Sequence, residues 1–99
     1  MIKLGNQPNY QQINIHANHE QAFTMSCQNG HIEIVKYLIE LGHQPNYQQI
    51  NIHAKDEYAF RYSCQNEHIV TVNYLIKISN EPGMIPISND IIEKYYPKN

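Results

Sequence analysis

The chain has no tryptophan, a single arginine, two cysteines and no apolar run longer than three residues. Each scarcity excludes something. A helix that crosses a bilayer needs about 20 consecutive apolar residues, so no membrane-spanning segment is expected. Cys27 and Cys64 alone cannot build a disulfide-dense secreted scaffold. Seven Lys and Arg stand against nine Asp and Glu, a net charge of −2, too little clustered positive charge to displace counterions from nucleic acid. The first residues, Met1 to Gln7, carry no apolar stretch of signal-peptide length, and no Asn-x-Ser/Thr acceptor occurs. These features point to an intracellular, cytoplasmic protein without a nucleic-acid or membrane partner. What is present is moderate: 41% hydrophobic and 16% charged residues, with ten aromatics. Disordered chains combine high net charge with few aromatics, and this chain has neither. Its 99 residues make a single domain.

The dominant feature is an internal repeat. Residues 4–40 read LGNQPNYQQINIHANHEQAFTMSCQNGHIEIVKYLIE, and residues 41–77 read LGHQPNYQQINIHAKDEYAFRYSCQNEHIVTVNYLIK; 26 of the 37 positions are identical. From Ile78 a third copy starts in register, with Pro82 matching Pro45 and Ile87 matching Ile50, and then loses the pattern. A period of this length means a stack of one supersecondary unit, each copy burying its apolar face against its neighbours.

Periodicity and punctuation define the unit. His31 to Leu41 places Ile32, Ile34, Val35, Leu38 and Leu41 at helical spacing, with Glu33, Lys36 and Glu40 opposite. Gly42 is placed to close that helix in a left-handed conformation. The matching helix runs from Ile69 to Ile78. A shorter helix, Glu20 to Gln28, precedes it and ends at Asn29-Gly30; the second copy has Asn66-Glu67 there, so that turn should be slightly strained. A turn-rich Gly-x-Gln-Pro-Asn-Tyr-Gln-Gln loop joins the units, and Ile13-Asn-Ile15 and Ile50-Asn-Ile52 alternate like short extended strands. Each unit reads as loop, extended finger, short helix, tight turn, longer helix.

Asn29-Gly30-His31-Ile32-Glu33-Ile34-Val35-Lys36-Tyr37-Leu38-Ile39-Glu40-Leu41-Gly42 resembles the outer-helix signature of the ankyrin repeat family, and Cys64 to Ile76 repeats it with gaps. Ile15-His16-Ala17 and Ile52-His53-Ala54 resemble the family's hairpin finger. The resemblance implies an all-α helix-turn-helix solenoid with about two full repeats and partial flanking repeats. The single domain would divide into the end of a partial repeat (1–5), repeat one (4–40), repeat two (41–77) and a degenerate repeat or C-terminal cap (78–99). The period departs from the family's usual 33 residues by a longer loop before the finger. The family's T-P-L-H tetrapeptide is replaced by Gln21-Ala-Phe-Thr24 and Tyr58-Ala-Phe-Arg61, so the turn it normally fixes must be held by other groups. The wording of these repeats is similar to the divergent ankyrin proteins of giant DNA viruses, which would place the chain in a host cytoplasm. Met1 to Gly5 mirrors only the end of an outer helix, so the chain opens in mid-unit, and fewer units than the roughly three usually needed for stability follow. In the tail, Pro86 to Asp90 supplies N-cap residues ahead of a short helix expected to turn Ile91, Ile92 and Tyr95 inward.

Several constellations could carry chemistry. Cys27-x3-His31 and Cys64-x3-His68 form a zinc-compatible set. In a stack, however, equivalent residues lie one helix-packing distance apart, roughly 8–10 Å, too far to share a metal at about 2.0–2.3 Å; the same spacing argues against a Cys27–Cys64 disulfide. His16 and His53 are repeat-equivalent and read as turn-stabilising. No Gly-rich phosphate loop, catalytic carboxylate pair or Ser/His/Asp set appears. The expectation is a non-catalytic protein without metal or cofactor.

Five of the eleven positions that differ between copies cluster at the finger tip and short helix: Asn18, His19, Gln21, Thr24 and Met25 in the first, Lys55, Asp56, Tyr58, Arg61 and Tyr62 in the second; changes at Glu33/Val70, Ile34/Thr71 and Lys36/Asn73 on the longer helix are what drift at exposed positions would give. Tyr and Arg are favoured at binding hot spots, and the resemblance implies that partners bind this surface. These ten residues are the candidate partner-binding site for an unidentified protein. The rival expectations are a homo-oligomer formed through the uncapped repeat end, and a truncated repeat copy without a dedicated partner.

Overall fold

The computed structural model describes residues 16–45 and 47–97, with the backbone alone at 17–19. Among the described residues there are five helices and no strand: α1 (Ala17–Gln28), α2 (Ile32–Gly42), α3 (Ala54–Gln65), α4 (Ile69–Ser79) and α5 (Asn89–Tyr95). α1 packs on α2 and α3 on α4 within each unit, α1 on α3 and α2 on α4 between units, and α5 on α3. This is the all-α helix-turn-helix stack that the repeat predicts. The expected segments Met1 to Gly5, the first loop and the first finger Ile13 to Ile15 lie outside the described residues.

The core repeats with the sequence. Phe23 and Phe60, Cys27 and Cys64, Val35 and Val72, and Leu38 and Leu75 are buried pairs separated by one period. Each large apolar side chain taken fully out of water contributes about 1.5–3 kcal/mol. Ile50 and Ile52 join this core from the second finger.

Three local expectations are corrected. The finger Ile50 to Ile52 is not a strand. Its alternation survives, with Ile50 and Ile52 buried and Asn51 exposed. Its polar groups turn elsewhere: the Asn51 N–H donates to Glu20, the His53 N–H to Asn51 Oδ1 and the Ala54 N–H to the Asn51 carbonyl. Second, the short helix begins at Ala17 rather than Glu20, but not as one regular helix. Glu20 is left-handed at φ 67°, and in the second unit Lys55, Asp56 and Glu57 are all left-handed, at φ 57°, 57° and 62°. Third, Gly42 does not close α2 in a left-handed conformation; it is the last helical residue and is buried. A Cβ there would lie 3.0 Å from the Ile50 nitrogen and 3.2 Å from the Gln48 carbonyl oxygen. Close approach of the next finger's backbone, rather than helix termination, requires glycine.

The inter-helix turns behave as expected. Gly30 has φ 71°, and Glu67, which replaces glycine in the second unit, is held at φ 59°. A left-handed non-glycine residue costs roughly 1–2 kcal/mol.

After α4 the chain runs back over the second unit. Ile87 is buried, its N–H meeting the Ser79 hydroxyl, and Ser88 caps α5 by accepting from the Asp90 N–H. Ile91, Ile92 and Tyr95 are half-buried against the core, and the Tyr96 hydroxyl donates to Asn73 at 2.9 Å.

Glu67→Gly is therefore expected to raise stability by about 1 kcal/mol, since it removes a left-handed side chain at the expense of unfolded-state entropy. Gly30→Ala is expected to lose more than that, because its Cβ would also lie 2.6 Å from the His68 ring. Urea unfolding midpoints measure both.

Candidate functional site

The second unit brings its five candidate residues into one cluster. The Tyr58 and Tyr62 rings are 4.3 Å apart between centroids, tilted by 33°. Lys55 Nζ lies 5.4 Å from the Tyr58 ring centre, and the Arg61 guanidinium carbon lies 5.5 Å from that of Tyr62, within cation–π range. Lys55 and Asp56 are exposed; Tyr58, Arg61 and Tyr62 are half-buried. Two of these side chains also have internal work. Arg61 Nε donates to the Asp56 carbonyl at 2.8 Å and Nη2 to the Lys55 carbonyl at 3.3 Å. One guanidinium thus satisfies two carbonyls of the left-handed turn. The Tyr58 hydroxyl donates to Gln28 Oε1 at 2.8 Å, which ties its outer edge to α1.

The first unit does not match this cluster. Gln21 is exposed and Met25 is 38% exposed, but Thr24 is 3% exposed with its hydroxyl donating to the Gln21 carbonyl. Thr24 is therefore removed from the candidate surface: its short side chain lies against its own helix, where the longer Arg61 reaches out and back to the turn. The side chains of Asn18 and His19 lie outside the described residues.

Beneath the cluster, two carboxylates hold the fingers. Glu20 is 5% exposed. Its Oε1 lies 2.7 Å from His16 Nδ1, and its Oε2 accepts the Asn51 N–H of the following finger at 2.6 Å. Glu57 repeats the first contact, with Oε2 2.7 Å from His53 Nδ1. It does not repeat the second: Glu57 Oε1 is buried and has no hydrogen-bond partner among the described residues. The residue one period after Asn51 is Ser88, and there the chain leaves the finger path to cap α5. His53 Nε2 instead reaches the tail, 2.7 Å from the Ile85 carbonyl oxygen.

Further inter-unit bonds close the end of α1. The Ser63 hydroxyl donates to the Cys27 carbonyl at 3.0 Å and Asn66 Nδ2 to the Gln28 carbonyl at 2.9 Å. These are C-terminal helix carbonyls that have no partner within their own helix.

The family model for ankyrin repeats, in three copies, matches residues 2–87. The chain belongs to the ankyrin repeat family. Among curated proteins and among solved structures, no match is found. Ankyrin repeats are generally protein–protein interaction modules and typically non-catalytic. No helix among the described residues is long and apolar enough to cross a membrane.

Within this ankyrin stack the two cysteines are free and buried. Among the described residues no group of three or more His, Cys, Asp or Glu is placed to hold a metal ion. Burial pushes the Cys27 thiol far above its ordinary value and the Cys64 thiol up to about 11. Since the thiolate is the nucleophile, native-state labelling by a thiol reagent is expected to be very slow at neutral pH. It should accelerate for Cys64 as pH rises towards about 11, with Cys27 lagging; the labelling rate of each residue, followed by mass spectrometry, checks this.

Sequence reasoning passed over the two glutamates. Both lie among the identical positions, in His-x3-Glu pairs one period apart. That recurrence is the sequence signal for them, and it lies outside the positions that differ between copies.

Proposed function

We propose that this ankyrin domain is a non-catalytic binding module that engages a partner protein through the finger side of its inner helices. Its contact centre is the second unit's Lys55, Asp56, Tyr58, Arg61 and Tyr62, with Gln21 and Met25 at the edge. The observation that carries this reading is the aromatic–cation cluster: two Tyr rings 4.3 Å apart with a Lys and an Arg over them. Such rigid amphipathic groups supply contact area at small entropic cost and are favoured at hot spots. They stand where the two copies differ most, while the core they rest on is repeated almost unchanged. Arg61 fixes the turn as well as offering its guanidinium, so its removal would disturb both.

The second reading, self-association, has its own observation. Ile34 and Tyr37 on α2 are 48% and 62% exposed. Their equivalents on α4, Thr71 and Tyr74, are buried and half-buried, and Lys36 of α2 lies over the Tyr74 ring at 5.6 Å. A second copy would cover Ile34 and Tyr37 in the same manner.

Photo-crosslinking residues placed singly at Tyr62, Val70 and Tyr37 separate the two readings. Crosslinks to a foreign protein from Tyr62 that are absent from the exposed Val70 support the binding surface. Crosslinks from Tyr37 to the chain itself support self-association. Equal or stronger foreign crosslinking from Val70 overturns the choice of face.

A further inference from the structure

The His53 ring has an acceptor at each nitrogen: the Glu57 carboxylate 2.7 Å from Nδ1 and the Ile85 carbonyl 2.7 Å from Nε2. A neutral imidazole carries one N–H and one lone pair. If Nε2 carries the hydrogen, the Nδ1 lone pair faces a carboxylate oxygen; if Nδ1 carries it, the Nε2 lone pair faces a carbonyl oxygen. Both contacts are hydrogen bonds only when the His53–Glu57 pair holds one more proton, on the ring or on the carboxyl group. Ile85 belongs to the tail, and two residues later Ile87 is buried in the core.

We propose that docking of the tail, residues 85–96, on the second unit is proton-linked: the His53–Glu57 pair takes up one proton when the Ile85 carbonyl is seated and gives it up when the tail leaves. Among the described residues, no other ionisable side chain is hydrogen-bonded to the His53–Glu57 pair. The finger residues Gln49 to Ile52 and the tail residues Pro82 to Ser88 contain none. The acidic group that α1 brings to this finger is Glu20, already taken by His16 and the Asn51 N–H. On α3 itself Lys55 and Asp56 are exposed, as is Asp90 on α5. Glu57 Oε1, buried and without a partner among the described residues, brings no second donor.

The sign follows from the proton count. The docked state binds more protons, so rising pH favours the free tail, by up to about tenfold in the docked-to-free ratio per pH unit for one proton. Release exposes Ile87 and the apolar end of the stack that it covers.

The test follows the Ile87 and Ile91 signals of the full chain by NMR from roughly pH 5 to pH 9, a range spanning ordinary histidine titration. Val35 and Leu38 of the first unit report that the fold persists. In the wild type the two tail signals are expected to move towards free-chain positions as pH rises while Val35 and Leu38 hold. Glu57→Gln replaces the carboxylate with an amide that donates to a neutral Nδ1, so both ring contacts survive without the extra proton and the tail should stay docked throughout. His53→Gln cannot titrate and should also give a flat profile. A wild-type tail that does not respond across the range, or a wild-type pH profile retained in either folded variant, overturns the proposal.

Discussion

The structure depends on what a buried carboxylate does at the joint between repeats. Glu20 is nearly inaccessible, and an ionised carboxylate in such a place is costly unless its oxygens are paired. Here one oxygen meets the histidine of its own finger and the other takes a backbone N–H from the next. The finger residue that gives that N–H, Asn51, sits between Ile50 and Ile52, the two apolar residues it delivers into the core. The hydrogen bond and the apolar burial therefore support each other. Without the carboxylate the finger would lose its hydrogen bond to the preceding unit, and without the isoleucines the carboxylate would be open to water.

The same geometry has a consequence for the exposed surface. Glu20 and Glu57, each in contact with the histidine four residues earlier, lie off the right-handed helical path, at φ 67° and 62°. In the second unit the left-handed turn takes in Lys55 and Asp56 as well, and Arg61 compensates by donating to both of their carbonyls. The guanidinium that closes the turn is also the one laid over Tyr62. The candidate binding cluster is thus built directly on the anchoring device beneath it. Thr24, at the equivalent position of the first unit, bonds the Gln21 carbonyl of its own helix instead.

Most of the fold was legible from the sequence because two 37-residue copies that share 26 positions impose the same core on both units. Helical spacing placed Val35, Leu38, Val72 and Leu75 inside, and the missing glycine at Glu67 correctly signalled a strained turn. The finger was misread as a strand because alternation reports burial, and burial here comes without ladder pairing. A glycine after an apolar helix looks like a terminator, whereas Gly42 is required by the backbone of Gln48 to Ile50, which folds back beside it only six to eight residues later. At the surface, variation between copies found the Tyr–Arg cluster, which is a question of which positions are free to differ. It also drew in Thr24, whose burial depends on side-chain length rather than on position. The glutamates that organise the finger escape any rule that treats charged residues as solvated, since their partners, a neighbouring ring and, for Glu20, a backbone amide, come together in the fold.

The most direct measurement is the amide proton of Asn51, read by its chemical shift and hydrogen-exchange protection in the wild type and in Glu20→Ala. A donor held 2.6 Å from a buried carboxylate oxygen should resonate far downfield and exchange only when the two units separate. In Glu20→Ala the shift should return towards the ordinary amide range, and protection should fall at Asn51 and across α3. An Asn51 amide that is unshifted and unprotected in the wild type, or unchanged by loss of the Glu20 carboxylate, would contradict the claim that this carboxylate joins the repeats.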